Sequence, residues 1–497
     1  MSTARAAADG GTARRVARWV GSLITGALLR TALLLGATIV LARLLTPEDF
    51  GLASLATSIS LFLAVFAGGI PFEEALAQRR VLRRKHLDTA LGVSIALSIL
   101  ALAATLVLGE IVGPVFGSDA FWPLLAFANL SLFGQAFVTV HTALARRRRK
   151  FALIGRSNSV GAIAGAVGGI IAAYFGAGPW AVVLTRVLML AGSALVLAFG
   201  TGVRVVPGFS LRHLRDIAHY SSFSLGQRIA TDSAYILINY TVATFFSVAA
   251  VGSFNMALRL TEPLRGLFRG ITHNTAFEFM RERTQSQGDF TTRFALILSI
   301  ATAVIAPVFL GIAAISELLL SVLVGPGWGD AAVIVQVLAL GTALILPLDL
   351  ASTALNARGL PGYLVVQRAI GFVALLIGLV GAVVLHLPGI GAGVARMAAD
   401  IAEAGWAARA IVLRLGLKPG AVLKSFGVPF TAAIAMAVAT NLLVHAAAGH
   451  VADWMALGIG VAFGALLYLP MIAIAMPGLR RHALTAIRPR KGKPAAP

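Results

Sequence analysis

There is no cysteine in this chain, which removes disulfides, thiolate metal sites and thiol nucleophiles from the functions open to it. Charge is scarce too: 12% of the 497 residues are Asp, Glu, Lys or Arg, against 58% hydrophobic residues and a mean hydropathy of +0.88. No soluble core hides that much apolar surface, so the composition points to a membrane protein. Acids are the rarer sign, 20 against 41 Lys and Arg. A cationic excess in a membrane protein collects on the cytoplasmic side and around anionic headgroups. A Walker A lysine loop, an HExxH helix and a G-x-S-x-G elbow are all missing from the sequence, so it is not expected to be an enzyme and no cofactor is expected.

What the chain does contain is a series of apolar segments, each near the length a helix needs to cross the hydrocarbon. They lie at roughly 20–42, 51–74, 87–110, 121–145, 155–175 and 179–200, then 218–246, 250–276, 292–316, 330–356, 362–385 and 389–413, with a last pair near 424–446 and 452–476. The expected fold is therefore all-α and polytopic, with about fourteen transmembrane helices. The seventh, eighth, tenth and twelfth carry charges and read weakly by hydropathy.

Charge placement supports the count. Arg14, Arg15 and Arg18 precede the first helix, Arg79 to Lys85 follow the second, Ala145 to Lys150 (ARRRRK) the fourth, and Arg204, Arg212 and Arg215 the sixth. Arg281 and Arg283, then Arg358, then Arg409, Arg414 and Lys418, then the tail Arg480 to Lys493 continue the alternation. The intervening connections, 110–120, 175–180 and 386–391, are short and neutral or acidic. The positive-inside rule then predicts a multi-pass membrane protein with both termini cytoplasmic. The amino-terminal basic and apolar stretch reads as an uncleaved first span, because Arg30 interrupts the run and hydrophobicity continues to Ala42. ARRRRK reads as a lipid-facing anchor, and nucleic acid is excluded as a partner.

The stretch LARLLTPEDFG, Leu41 to Gly51, places Thr46 to cap the next helix, Pro47 in its first turn, and Glu48 and Asp49 at the positive end of its dipole. Together with FEEALAQRR at 72–80, TALARRRRKFALIGR at 142–156 and LNARGLPGY at 355–363, it resembles the Wzx-type oligosaccharide flippases. These form the polysaccharide transporter family of the multidrug/oligosaccharidyl-lipid/polysaccharide exporter superfamily. The resemblance covers most of the chain, and the opening motif is the most specific part.

The resemblance implies two six-helix lobes around a central cationic cavity plus two C-terminal helices, moving undecaprenyl-diphosphate-linked oligosaccharide between leaflets for exopolysaccharide, O-antigen or capsule (lipopolysaccharide) biosynthesis. On this reading residues 1–19 are a cytoplasmic tail, 20–200 the N-lobe, 201–217 an inter-lobe loop, 218–413 the C-lobe, 424–476 the last two helices and 477–497 a basic tail. Membrane lipids, a glycan polymerase and a chain-length regulator are the implied partners. A weak internal repeat agrees with two lobes. Shifted by 201 residues, Gly51 falls on Gly252, Gly69-Ile70 on Gly270-Ile271, Ala75 on Ala276, Asp88 on Asp289 and Leu97-Ser98-Ile99 on Leu298-Ser299-Ile300.

Charges inside spans carry the mechanistic expectation, because a central Arg, Lys or Asp costs about 2.5 to 3.5 kcal/mol on insertion scales. Helix eight sets Arg259, Glu262, Arg265 and Arg269 within a narrow arc. Helix seven adds Arg228 and Asp232, helix one Arg30, and helix twelve Arg396, Asp400 and Glu403. The bland reading is internal pairing: Arg228 with Asp232, Arg396 with Asp400, and Glu262 with a neighbouring arginine. The functional reading is that Arg30, Arg228, Arg259, Arg265 and Arg269 bind the diphosphate, since guanidinium makes forked contacts to phosphate oxygens. Asp232, Asp349, Asp400 and Glu403 are then candidates for proton or sodium coupling.

Arg186 either lines the same cavity or snorkels, and Arg368 is expected to snorkel. Glu73 and Glu74 are expected to pair with the adjacent basic loop. Asn129, Gln135, His141, Asn239 and Asn255 are expected to hydrogen-bond between helices. Pro263 and Pro347 mark bends or tolerated kinks. The competing functions are a multidrug/cation antiporter, which should present acids or aromatics to its cargo, and a membrane glycan polymerase.

Overall fold

The computed structural model describes residues 31–67, 70–79, 81–112, 120–281, 287–358, 360, 362–387, 389–447 and 449–476. Arg30 lies outside the described residues, as do both terminal tails, and the side chains of Arg228 and Asp232 lie outside those described. Among the described residues the regular structure is helical. In chain order the helices are α1 (Thr31–Leu44), α2 (Pro47–Phe66), α3 (Ile70–Gln78), α4 (Arg84–Val112), α5 (Phe121–Arg147), α6 (Phe151–Tyr174), α7 (Pro179–Thr201), α8 (Leu211–Phe245) and α9 (Val248–Arg281). They continue with α10 (Gln287–Leu323), α11 (Gly329–Leu348), α12 (Leu350–Ala357), α13 (Gly362–Val384), α14 (Ile390–Leu413), α15 (Pro419–Val422), α16 (Val428–Ala447) and α17 (Asp453–Ala475).

Ten helical segments among the described residues are long and apolar enough to cross a membrane. The other four expected spans are also helical: α1 is described over only 14 residues, and α8, α9 and α14 carry the charges that lower their hydropathy. The tenth span, expected to read weakly, is among the ten as Pro326–Asn356. Large apolar side chains stand on the outside of the helices, Val107 at 70% and Phe199 at 82% exposure among them, as befits a lipid-facing surface.

The span foreseen at 51–74 is described as α2, ending at Phe66, and α3, beginning at Ile70; residues 68 and 69 lie outside those described. At the other end of α2 the expected start is present in full. Thr46 accepts from the Asp49 amide, the Asp49 carboxylate accepts from the Thr46 amide, and Pro47 opens the helix.

The chain divides into two compact units, Met1–Met256 and Ala257–Pro497. In the first, α6 and α7 pack through a stripe of glycines four residues apart. A Cβ at Gly161 would lie 2.1 Å from Ser193 Oγ, at Gly165 2.4 Å from the Thr185 carbonyl and at Gly169 1.9 Å from Thr185 Oγ1. A second close approach links α2 to the start of α9. A Cβ on Gly51 would meet the Val248 carbonyl at 1.9 Å, and one on Gly252 would meet the Pro47 carbonyl at 1.8 Å. These are positions that the 201-residue shift aligns, Gly51 with Gly252 and Pro47 with Val248, so the contact is reciprocal.

Basic connections gather at one end of this unit. Arg79 pairs with Asp216 at 3.0 Å, Arg146 with Glu73 at 3.1 Å, and Arg148 and Lys150 donate to the last carbonyls of α7 at 2.8 and 3.1 Å. Glu73 thus finds a cation at the end of α5. Asn129 donates to Thr105 Oγ1 across α5 and α4 (2.8 Å) and Asn255 to Asn239 Oδ1 across α9 and α8 (2.9 Å), while Gln135 and His141 bond within α5.

In the second unit, α10, α11, α12, α14 and α16 share a core built around Phe294, Leu298, Phe309, Leu346 and Ile411. The tenth span is interrupted next to Pro347: α11 ends at Leu348, Asp349 stands at the junction, and α12 follows.

Candidate functional site

The charges of helix eight do not stand against one in-helix acid. Arg265 on α9 is buried and directs its fork at Asp400 on α14, Nη2 donating to Oδ1 at 2.8 Å and Nη1 to Oδ2 at 3.1 Å. Glu262 approaches the same guanidinium at 3.8 Å, and Arg396 approaches Asp400 at 3.7 Å. The expected Arg396–Asp400 pair is therefore the looser of two contacts that Asp400 makes. α11 admits the carboxylate because Gly341 has no side chain: a Cβ there would sit 3.1 Å from Asp400 Oδ2.

A second group forms on α9, the α11–α12 junction, α13 and α14. Asp349 Oδ2 lies 3.7 Å from Arg269 Nε and 3.5 Å from Arg368 Nη2, and Arg368 Nη1 donates to Glu403 Oε2. Arg368 was expected to snorkel; instead two carboxylates hold it inside the unit, because Gly371 one turn on leaves the space Glu403 occupies. A Cβ at Gly371 would lie 2.2 Å from Glu403 Oε1. Asp349 is further oriented by Gln367, which donates to Oδ1 at 3.3 Å and accepts from Ser352. Each group holds two arginines and two carboxylates, so the surplus read along helix eight is compensated by partners on other helices.

The two groups differ in access. The Arg265 and Asp400 side chains are 3% and 2% exposed, those of Arg269 and Arg368 42% and 44%. Arg259 is half-buried on α9. In the first unit Arg186 is half-buried on α7 and forms no ion pair with a described residue; its Nε is buried without a hydrogen-bond partner. A groove of about 550 Å³ between α10, α11, α14 and α16 is lined mainly by apolar side chains, Leu310, Leu344, Ile401, Ile434 and Leu442 among them, and by no charged side chain.

Arginines and carboxylates paired within the apolar helices of a multi-pass membrane protein are the furniture of a transporter, since ionisable groups at such depth mark transport pathways or their counter-ions. Residues 40–333 match the family of polysaccharide biosynthesis proteins, and the chain belongs to that family. A curated relative, the succinoglycan biosynthesis transport protein ExoT of Rhizobium meliloti (strain 1021), is 24% identical over 479 residues, 92% of each chain. Among solved structures, the lipid II flippase MurJ in an inward closed conformation superposes with a TM-score of 0.75 at 13% identity, over 92% of this chain and 99% of that one. An inward-facing multidrug resistance MATE family transporter of the MOP superfamily gives 0.56 at 18% identity, over 79% and 100%. These relatives are transporters and flippases, not enzymes, and the fold is of the MurJ/MATE type that the sequence resemblance implied.

Proposed function

We propose that this protein translocates an undecaprenyl-diphosphate-linked oligosaccharide from the inner to the outer leaflet of the bacterial inner membrane, for exopolysaccharide, O-antigen or capsule assembly. The observation that carries the reading is guanidinium within the spans of a chain of this family: Arg186 without a carboxylate among the described residues, and Arg269 and Arg368 half open. A diphosphate supplies the anion such groups need, and a cationic drug does not. Arg30, Arg228, Arg259 and Arg269 are the proposed headgroup contacts; Arg265, closed by Asp400, holds α9 to α14 and contributes by position. The basic connections face the cytoplasm, as do both termini, and the lobes rock about a central cavity. Asp232, Asp349, Asp400 and Glu403 are the proposed groups for coupling to protons or sodium, and a glycan polymerase and a chain-length regulator are the proposed partners downstream.

The test is the leaflet distribution of undecaprenyl-linked oligosaccharide in a strain lacking this gene and any redundant transporter. Accumulation in the inner leaflet, relieved by the wild-type chain, is expected. Normal export without the gene would sink the proposal.

A further inference from the structure

Not all the embedded arginines are built for the same work. Arg265 is closed: both carboxylate oxygens of Asp400 lie within hydrogen-bond distance and almost none of either side chain is open. Arg269 and Arg368 are open: more than two-fifths of each is exposed, and the carboxylate oxygen they share, Asp349 Oδ2, lies at 3.7 and 3.5 Å, beyond a normal hydrogen bond. Sharing that oxygen brings two guanidinium groups near each other inside one unit, a spacing at which both can reach one oxyanion. The shared carboxylate is itself held in place, through Gln367 and then Ser352, both buried. Arg368 lies six residues into α13, about 9 Å from its first residue at 1.5 Å per residue, a depth at which a half-exposed guanidinium facing lipid would be costly.

We propose that Arg269 and Arg368, set side by side on Asp349, form an oxyanion-binding pair for a phosphate or diphosphate group, and that Glu403 is the internal carboxylate this oxyanion displaces from Arg368. The proposal rests on the flippase reading and adds to it the residue that the headgroup contacts on α13 and the group that competes for it. Glu403 is 8% exposed and reaches Arg368 through the gap at Gly371, so it occupies the cation when no ligand does and keeps the resting site neutral. Guanidinium and phosphate match in geometry as guanidinium and carboxylate do, with an additional negative charge in favour of the phosphate. Asp349 remains between the two arginines and fixes their spacing.

The test is the affinity of the purified full-length chain in nanodiscs for inorganic pyrophosphate, measured by calorimetry. Arg368→Gln and Arg269→Gln are each expected to weaken binding by about tenfold or more, the loss of a charge-assisted contact. Glu403→Gln is expected to strengthen it severalfold, because the internal competitor is gone. Arg368→Lys, which keeps the charge and loses the fork, should fall between. The double variant Arg368→Gln/Glu403→Gln removes both partners, should retain the wild-type melting profile, and should bind weakly. Wild-type affinity in Arg368→Gln, weaker binding in Glu403→Gln, or no binding by the wild type would overturn the pair. A chain that flips lipid-linked glycan without these responses would overturn the pair alone. A chain with these responses and no flipping would keep the anion site and refute the flippase.

Discussion

Two charged clusters in this protein use the same side chains in different solvents. In the second unit, Arg265 and Asp400 face each other with both side chains almost wholly buried. In the first, Arg79 meets Asp216 at 3.0 Å while His86 Nε2 stands 3.4 Å from the same carboxylate oxygen, at the basic end of the unit and outside the expected span, with Asp216 41% exposed. The distances are alike and the consequences are not. Water can replace either partner of the Arg79–Asp216 pair, so that pair contributes little to stability and mainly fixes where the start of α8 lies. Water cannot reach the buried pair, so its geometry need not stabilise the fold relative to an apolar core, yet losing one member leaves a buried charge.

The largest effect should come from breaking the buried member. Asp400→Ala is expected to cost about 3–5 kcal/mol, read as a fall in unfolding temperature and yield in detergent, and Arg265→Met with Asp400→Leu should recover most of it. If the single variant were as stable as the wild type, Arg265 would have access to water that its burial denies. Next in size is the reciprocal glycine contact. Gly252→Ala sets a methyl group 1.8 Å from the Pro47 carbonyl, and overpacking of this kind costs about 1–3 kcal/mol. It should lower thermal stability and transport together, whereas Gly266→Ala on α9, with nothing within 4 Å of its Cβ, should do neither.

The smallest effect sharpens the exposed side of the comparison. The His86 hydrogen bond holds the Asp216 carboxyl below the usual carboxylate range, against burial and with help from Arg79. Burial and then the charge of His86 hold His213, whose ring stacks edge-on at 4.6 Å against His86, below the usual histidine range. A lowered carboxylate stabilises the fold at neutral pH and loses its contribution only in strong acid. A lowered histidine costs stability as pH falls below about 6.5, because the unfolded chain takes the proton first. The amides of Val206 and Gly208, both bonded to Asp88 at 3.0 Å, should therefore exchange faster between pH 7.5 and 5.5 once intrinsic rates are divided out. His213→Gln should remove that dependence, and an unchanged slope would separate His213 from the packing of this segment.

Much of the fold was legible because membrane insertion constrains sequence so strongly. Segment lengths, the alternation of basic connections and the Thr46 capping box all follow from local rules, and the structure has helices at each expected span. The site was less legible. Counting charges along α9 finds neighbours three and four residues away, whereas Arg265 and Arg269 take their carboxylates from Asp400 and Asp349, 135 and 80 positions further on. The one local signal for the true partners was glycine: Gly341 and Gly371 stand where Asp400 and Glu403 need room, and a glycine in an apolar span fits lipid-helix packing equally well.

The central claim, that arginines within the spans handle an anionic lipid-linked glycan, is tested most directly by translocation in liposomes. The purified chain would be reconstituted with a polyprenyl-diphosphate-linked oligosaccharide, and the fraction accessible to an external glycosidase followed with time. The account predicts that the wild type renders inner-leaflet glycan accessible, that Arg186→Gln and Arg269→Gln slow this by about tenfold or more, and that the same glycan on an uncharged polyprenyl carrier is moved poorly. Equal rates for charged and uncharged carriers, or wild-type rates in both arginine variants, would contradict it.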